Sequence, residues 1–396
     1  MGMFSVDTNI ILCIIVAYIT DIVLGGWRLQ GYPVKFVSLV VKSSGARFLR
    51  YASGLSKAAP DKSTFYGTAA GVIHALYTTL LIFVSLAVTL DFARRLHSVF
   101  YYILTTYFIY STLSVRRLAN TAWSVTSLLK KSRFLDAQNK VLKMSGEYGE
   151  SVGDGRSAIG TAAPSDVGSE FVIKEVIGVL SRGTIDKVIS PILFIILGAL
   201  FGVPVPFVYI LKTASALFAY SARNKEGANS GSIVKSVEVS AGKAGVYADF
   251  SAGTNANANA GADANINVNE GFTKPGAGLY RILAIIPSML SCILIPLSAA
   301  LCGKGFLGSV RIIRRDHSND LSQKGGVWGE AAFAGALGIQ LGGAPVYPGG
   351  EMKNPVIGDD LKEPKITDIF MAIRIMITTS VIMLTLSLAV LFFFIV

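Results

Sequence analysis

Histidine and cysteine are nearly missing from this chain, three of each in 396 residues. With them go most of the usual means of metal binding and nucleophilic catalysis. Cys13, Cys292 and Cys302 lie in or beside apolar segments, with no CxxC pair and no nearby histidine. That spacing supports neither a disulfide frame nor a zinc site, and the three read as small core residues. No Ser/His/Asp set, cysteine cluster or Walker phosphate loop occurs in the sequence, so the familiar soluble chemistries have no foothold. Charge is sparse as well. Charged residues make up 15% and hydrophobic residues 52%, and several apolar runs approach or exceed bilayer-spanning length, which excludes a pair of ordinary soluble domains. The pattern predicts an all-α, polytopic helical membrane protein with cytoplasmic amphipathic helices and glycine-rich loops. Acid is scarcer than base, 25 Asp and Glu against 36 Lys and Arg, for a formal charge of +11. The basic residues cluster at the ends of apolar runs, where membrane orientation puts them, so anionic headgroups and phosphate-bearing substrates are the expected partners and nucleic acid is not.

The first apolar run, Asn9 to Leu24, has no Lys or Arg before it and no small-residue cleavage pattern, so it does not read as a secretory signal. Basic residues begin at Arg28 and recur through Lys62, which predicts an outside N-terminus and a cytoplasmic loop. Gly71 to Leu90 is long enough to span. His74 inside it is flagged because ionisable residues are rare at that depth, although a packed, hydrogen-bonded histidine is the plainer reading. Asp91 to His97 turns the chain into Val99–Val115, and Arg116 and Arg117 close that hairpin. Leu118 to Lys143 is amphipathic at helical spacing with basic residues between, and Ser145 to Ser169 reads as a flexible loop.

Phe171 to Leu211 holds an approach helix, then Gly183-Thr184-Ile185-Asp186, then the apolar run Ile189–Leu211 with Pro191, Pro204 and Pro206. If that run crosses fully, Lys212 lies on the far face from Asp186. It joins Asp186 only if Pro204 and Pro206 break the run into a re-entrant segment. Asn229 to Gly271 is polar and low in complexity, and reads as a solvent-facing insertion, either hairpin or disordered. Tyr280 to Leu301 and Ile373 to Val396 complete the apolar runs. The basic flanks predict about six spans, with the termini, the hairpin turn and the insertion outside and the glycine-rich motif cytoplasmic. The chain divides into an N-terminal membrane region at 1–228, the insertion at 229–271 and a C-terminal membrane region at 272–396.

The most distinctive string is Trp328 to Gly350, WGEAAFAGALGIQLGGAPVYPGG. Its glycines let the backbone turn sharply or approach a ligand. Its apolar middle, Ala331 to Leu341, is too short to cross a bilayer, and Glu330 and Gln340 on either side of that middle need partners. For Glu330 the expected partner is Mg²⁺ or a basic side chain such as Arg315. GALGIQLGG, followed by Tyr347, Gly350, Glu351, Lys353, Pro355 and Ile357-Gly358-Asp359, closely resembles the CobD/CbiB family of cobalamin biosynthesis. Thr184, Asp186, Pro191, Lys212, the Arg315-Asp316 pair and Arg374 match the family's pattern as well. Arg182 and Gly183 stand where relatives carry Glu and Asn, and Ser215 and Phe218 where they carry Asn and Asp.

The resemblance implies a membrane-bound synthase that joins adenosylcobyric acid to aminopropanol or its phosphate through an amide bond, with ATP and Mg²⁺. On that reading Glu330, Asp186 and Lys212 are the candidate catalytic residues. Arg315, Asp316, Gln340, Gly342, Gly343, Glu351, Lys353 and Asp359 are the candidate substrate-binding residues. Carboxylates can hold Mg²⁺, while Lys and Arg can clamp phosphate and neutralise charge during transfer. The expected location is the cell membrane, multi-pass, with a cytoplasmic active face. Two other classes stay open. One is a catalytically degenerate homologue serving as a membrane scaffold in corrinoid handling, since several family acids are replaced. The other is a small-molecule transporter, which paired intramembrane charges or repeated broken helices would indicate.

Overall fold

The computed structural model describes residues 8–25, 31–146, 165–221, 255–316, 327–342, 346–347, 350–351 and 356–395. The first half is built from α1 (Thr8–Leu24), α2 (Tyr32–Ala58), α3 (Ser63–Leu96), α4 (Ser98–Thr112), α5 (Val115–Lys130) and α6 (Phe134–Gly146). Next come α7 (Ser165–Thr184), a π-helical turn (Ile185–Ile189), α8 (Ser190–Leu200) and α9 (204–221). The second half holds α10 (Asn255–Leu301), α11 (Phe306–Asp316), α12 (Val327–Leu337) and α13 (Ile366–Ile395). Between α12 and α13, β1 (Leu341–Gly342) pairs antiparallel with β4 (Val356–Ile357), and β2 (Val346–Tyr347) with β3 (Gly350–Glu351). The protein is an all-α membrane protein with these two short ladders as its only described strands.

Four stretches are long and apolar enough to cross a bilayer: Ser63–Leu96, Ser169–Leu200, Asn267–Leu301 and Ile366–Phe394. The sequence reading expects about six spans. The difference is α1, whose 17 described residues stand at the lower limit for a span, and α4, which with 15 falls below it. The run Ile189–Leu211 still contributes to a candidate span, Ser169–Leu200, but is itself broken into two helices.

That break positions the site. Pro191 sits in the first turn of α8, where its missing N–H costs nothing. α8 ends at Phe201-Gly202, and Gly202 takes φ +72°, a left-handed conformation that glycine adopts without steric cost. α9 then folds back so closely that a Cβ on Gly198 would lie 2.7 Å from the Pro204 Cα. The pair forms a re-entrant hairpin, and the Ser169–Leu200 helix is the most enclosed of the four candidate spans, 72% of its apolar window being buried. Val208, Tyr209, Ile189 and Ile195 lie in the core that wraps it.

Two further contacts set the frame. Asp21, fully buried, accepts hydrogen bonds from the backbone N–H of Val115 at 2.9 Å and of Arg116 at 3.5 Å, so it caps the start of α5 from α1. α3 and α10 run parallel: a Cβ on Gly67 would lie 2.3 Å from the Val268 carbonyl oxygen, and one on Gly71 2.4 Å from that of Phe272. The small residues allow the two backbones to touch, as in membrane helix pairs. In the same layer His74 meets the Ser44 hydroxyl at 3.0 Å and stacks on Phe272 with 5.3 Å between ring centroids. It is the packed histidine of the plainer reading.

The insertion differs from expectation. Residues 229–254 lie outside the described residues, but from Asn255 the chain is helical, and the boundary drawn at 271 falls inside α10. Val268 is buried, and a Cβ on Gly271 would meet the Thr64 carbonyl oxygen at 2.6 Å. The last residues of the insertion therefore sit at the Ser63 end of α3, away from the hairpin turn at His97, whereas the basic-flank reading puts the turn and the insertion on the same outer side. Composition alone misses this because small polar residues read as loop, whereas here they let two helices approach.

Candidate functional site

The re-entrant hairpin brings Asp186 and Lys212 to one cleft of about 360 Å³ between α2, the start of α5, the π-helical turn, α9 and α10. Its described wall carries Lys35, Lys42, Arg117 and Lys187 besides these two, so among the described residues cations surround a single carboxylate. Lys212, 8% exposed, is buried midway along α9. Asp186 is hydrogen-bonded by Tyr280 and feels the charges of Lys187, Lys212 and Arg182. Tyr280 comes from α10 and stacks on Phe218 of α9 with 4.9 Å between ring centroids, which fixes its hydroxyl toward the carboxylate. The Ser111 hydroxyl, also on the cleft wall, shares a 2.7 Å hydrogen bond with the buried Tyr209 and so ties α4 to α9.

Glu330 does not line this cleft. Its described ion-pair partner is Arg182 on α7, which also lies 3.7 Å from Glu175. The expectation of Arg315 as partner is corrected here, because Arg315 is engaged elsewhere. α12 approaches α7 through Gly329, where a Cβ would stand 3.1 Å from the Ser181 carbonyl oxygen, and this closeness brings Glu330 within reach of Arg182. Arg182 is one helical turn from Asp186, so the Glu330 pair ends next to the cleft.

Arg315, Asp316 and Asp359 form a third group. The Arg315 guanidinium donates to Asp316 at 2.7 Å and also pairs with Asp359. Asp316 in turn accepts from the Gly358 N–H at 2.9 Å. Arg315, reinforced by that N–H, holds the Asp316 carboxyl below the usual carboxylate range against the opposing effect of its burial. Gly358 takes φ +92° and would place a Cβ 2.7 Å from the Ile339 carbonyl oxygen, so the chain can turn there only as glycine. These contacts lock β4 onto α11 and α12.

Gln340 lies in the turn before β1, and its Cα would be 3.7 Å from a Cβ on Gly358. Gly342 pairs with Val356. Glu351 pairs through its backbone with Val346. Gly343 and Lys353 lie outside the described residues. The candidates thus fall into the cleft pair, the Arg182-bound glutamate and the Arg315 clamp. Sequence reasoning does not single out Tyr280, Lys187, Arg117 or Arg182 as site residues. Adjacency to Asp186 is a usable signal for Lys187, whereas Arg117 and Tyr280 arrive from distant segments and carry none.

Among the described residues no group of three His, Cys, Asp or Glu side chains could hold a metal ion. The described residues of the cleft, with one carboxylate among them, do not fit a protein-held Mg²⁺.

Comparison with known proteins gives one family and a consistent set of relatives. The family described as CobD/Cbib protein matches residues 270–376. Cobalamin biosynthesis protein CobD of Citrobacter koseri is 25% identical over 382 residues, covering 95% of each chain. Cobalamin biosynthesis protein CbiB of Salmonella typhimurium is 25% identical over 378 residues, covering 94% of this chain and 95% of its own. A CobD of Geobacter metallireducens is 47% identical over a shorter stretch of 78 residues, 20% of this chain and 24% of its own. No solved structure matches.

Proposed function

The chain is a divergent member of the CobD/CbiB family and serves cobalamin biosynthesis, and from that premise we propose that it is the ATP-dependent ligase that joins adenosylcobyric acid to aminopropanol or its phosphate. The observation that carries the proposal is the meeting of Asp186 and Lys212 in one cleft, two residues 26 positions apart (212 − 186) that a straight span would separate. An amine enters such a reaction as an ammonium ion and must lose a proton to attack an acyl carbon. Asp186 is the one carboxylate among the described residues of the cleft wall, and it can hold the ammonium and take that proton. Lys212 can neutralise the negative charge that gathers on the acyl oxygen as nitrogen adds. Tyr280 acts through Asp186 as a positioning residue. A corrinoid is far larger than 360 Å³, so on this reading only its reacting carboxyl arm enters, and the macrocycle rests at the mouth. ATP would drive the step by transferring its terminal phosphoryl group to the corrinoid carboxylate, leaving ADP; the C–O bond to that group would break as the C–N bond forms, and it would depart as inorganic phosphate.

Cobinamide production in a host lacking its own synthase tests this. Asp186→Asn and Lys212→Gln should each lower production per molecule of membrane-inserted protein about a hundredfold or more, the range for loss of a positioned proton acceptor in the first case and of a group that stabilises developing charge in the second. Unchanged production by either variant removes that residue from the site. A wild-type chain that inserts normally and still yields no cobinamide overturns the ligase reading in favour of a degenerate scaffold, which the single acid of the cleft would also accommodate.

A further inference from the structure

The cleft has an outer compartment. A second cavity of about 150 Å³ adjoins it, sharing Ser114, Arg117 and Lys187 and continuing to Lys140 and Lys143 on α6. The inner compartment holds the only acidic side chain of the pair, Asp186; the described lining of the outer one includes none. Arg117, Lys140 and Lys187 are all partly buried there, and Leu118 and Met144 form an apolar floor beneath them. Arg117 and Lys187 also act on Lys212 as like charges, so the cations of both compartments lie within electrostatic reach of one another.

Cations gathered in a concave, partly desolvated place repel one another more strongly than on an open surface, and an anion of several charges relieves that repulsion. A helix N-terminus is not the source of attraction here, because the first N–H groups of α5 already donate to Asp21. Side chains alone make the field. The amphipathic α5–α6 pair supplies it, with the apolar faces of both helices turned into the core through Val125, Leu129, Ala137 and Val141.

We propose that this outer compartment is a polyphosphate-binding site whose cations are Arg117, Lys140, Lys143 and Lys187, standing in for the glycine-rich phosphate loop the chain lacks. The proposal deepens the ligase reading and rests on it, since it places the polyphosphate beside the Asp186–Lys212 pair without occupying it. Lys140 and Lys143 are remote from the reacting groups and serve binding alone.

The full chain in nanodiscs of zwitterionic phosphatidylcholine gives the test, with tripolyphosphate and inorganic phosphate as calorimetric probes. Wild type should bind tripolyphosphate more tightly than inorganic phosphate, and more weakly as salt rises. Lys140→Gln with Lys143→Gln should weaken tripolyphosphate about tenfold for each cation removed, the loss expected of one charge-assisted hydrogen bond. Arg at both positions should restore binding, which separates lost charge from lost folding. ATP should compete with tripolyphosphate. Equal affinity for the two probes in wild type, or an unchanged affinity in the double Gln variant, overturns the site. Competition by phosphatidylglycerol nanodiscs but not by ATP overturns it too, since the basic rim would then be a membrane-facing patch. Binding is read without turnover, so the two proposals fail separately. Cobinamide formation with unaltered tripolyphosphate affinity in the variant sinks the site alone, and polyphosphate binding without amide formation sinks the ligase alone.

Discussion

Asp316 shows how a single carboxylate can report on the whole lower half of the motif. Its oxygens accept from the Arg315 guanidinium and from the Gly358 N–H, and these interactions favour the ionised form in the folded chain. The folded-state value therefore lies below the unfolded one. Stability from this group is complete above the ordinary carboxylate value, near 4, and is lost as pH falls through the lower folded value. Thermal unfolding in detergent should show a melting temperature that declines as the solution is acidified below that range. Asp316→Asn should lower the melting temperature at neutral pH and flatten its acid limb. An acid limb as steep as in wild type would show that other carboxylates carry it. From the sequence the same residue reads as substrate-binding, and the structure gives it β4 and Arg315 as neighbours. Glu330 illustrates the limit of reading partners from sequence. Burial demands a cation, which the sequence makes plain, but Arg182 stands 148 positions away, and only the fold can choose between it and Arg315.

At the level of elements, the glycines of α2 and α3 separate packing from propensity. Gly71 sits where a Cβ would collide with the Phe272 carbonyl oxygen, whereas a Cβ on Gly54 of α2 would meet no described atom within 4 Å. Gly71→Ala should force α3 and α10 apart at a cost of about 1–3 kcal/mol, seen as a lower melting temperature and a smaller folded yield. Gly54→Ala should leave stability equal or raise it by about 0.5–1 kcal/mol, because an exposed helical glycine mainly adds freedom to the unfolded chain. A Gly71→Ala protein as stable as Gly54→Ala would mean that the two helices do not touch there. Long apolar runs such as Gly71–Leu90 and Ile373–Val396 announce their helices, because bilayer length and apolar composition leave few alternatives. Pro204 and Pro206 announce that Ile189–Leu211 can break, but whether it does depends on α9 finding a packed face, which is a tertiary fact. The end of the insertion, at Val268–Gly271, is hidden because its contact with α3 is a close backbone approach at Gly67 and Gly271, and hydropathy is blind to that. Asp186 and Lys212 are visible as polar residues beside spans. Their shared cleft is visible only as a condition on the break.

Across the molecule, α3 and α10 run parallel in close contact, and α13 meets α10 through Thr379 and Ser298 at 2.8 Å. α1 joins the same seam where the Tyr18 and Ser380 hydroxyls share a 2.7 Å hydrogen bond. The amphipathic α5 and α6 lie against α7, beside the mouth of the cleft. The fold-back at Gly202 has a consequence for parity. A chain that enters and returns adds an even number to the tally of bilayer crossings, whether its tip stops midway or reaches the far face. The segments before Ser165 and after Ser221 must then share a side, however deep the hairpin runs. A reporter active on one side only, inserted after Gly146 in one copy and after Ser221 in another, should read alike in both. Opposite readings would mean that the hairpin opens into one full crossing, which would carry Lys212 away from Asp186 and dissolve the cleft. The sidedness of everything downstream of residue 221 is thus fixed by the same bend that assembles the site.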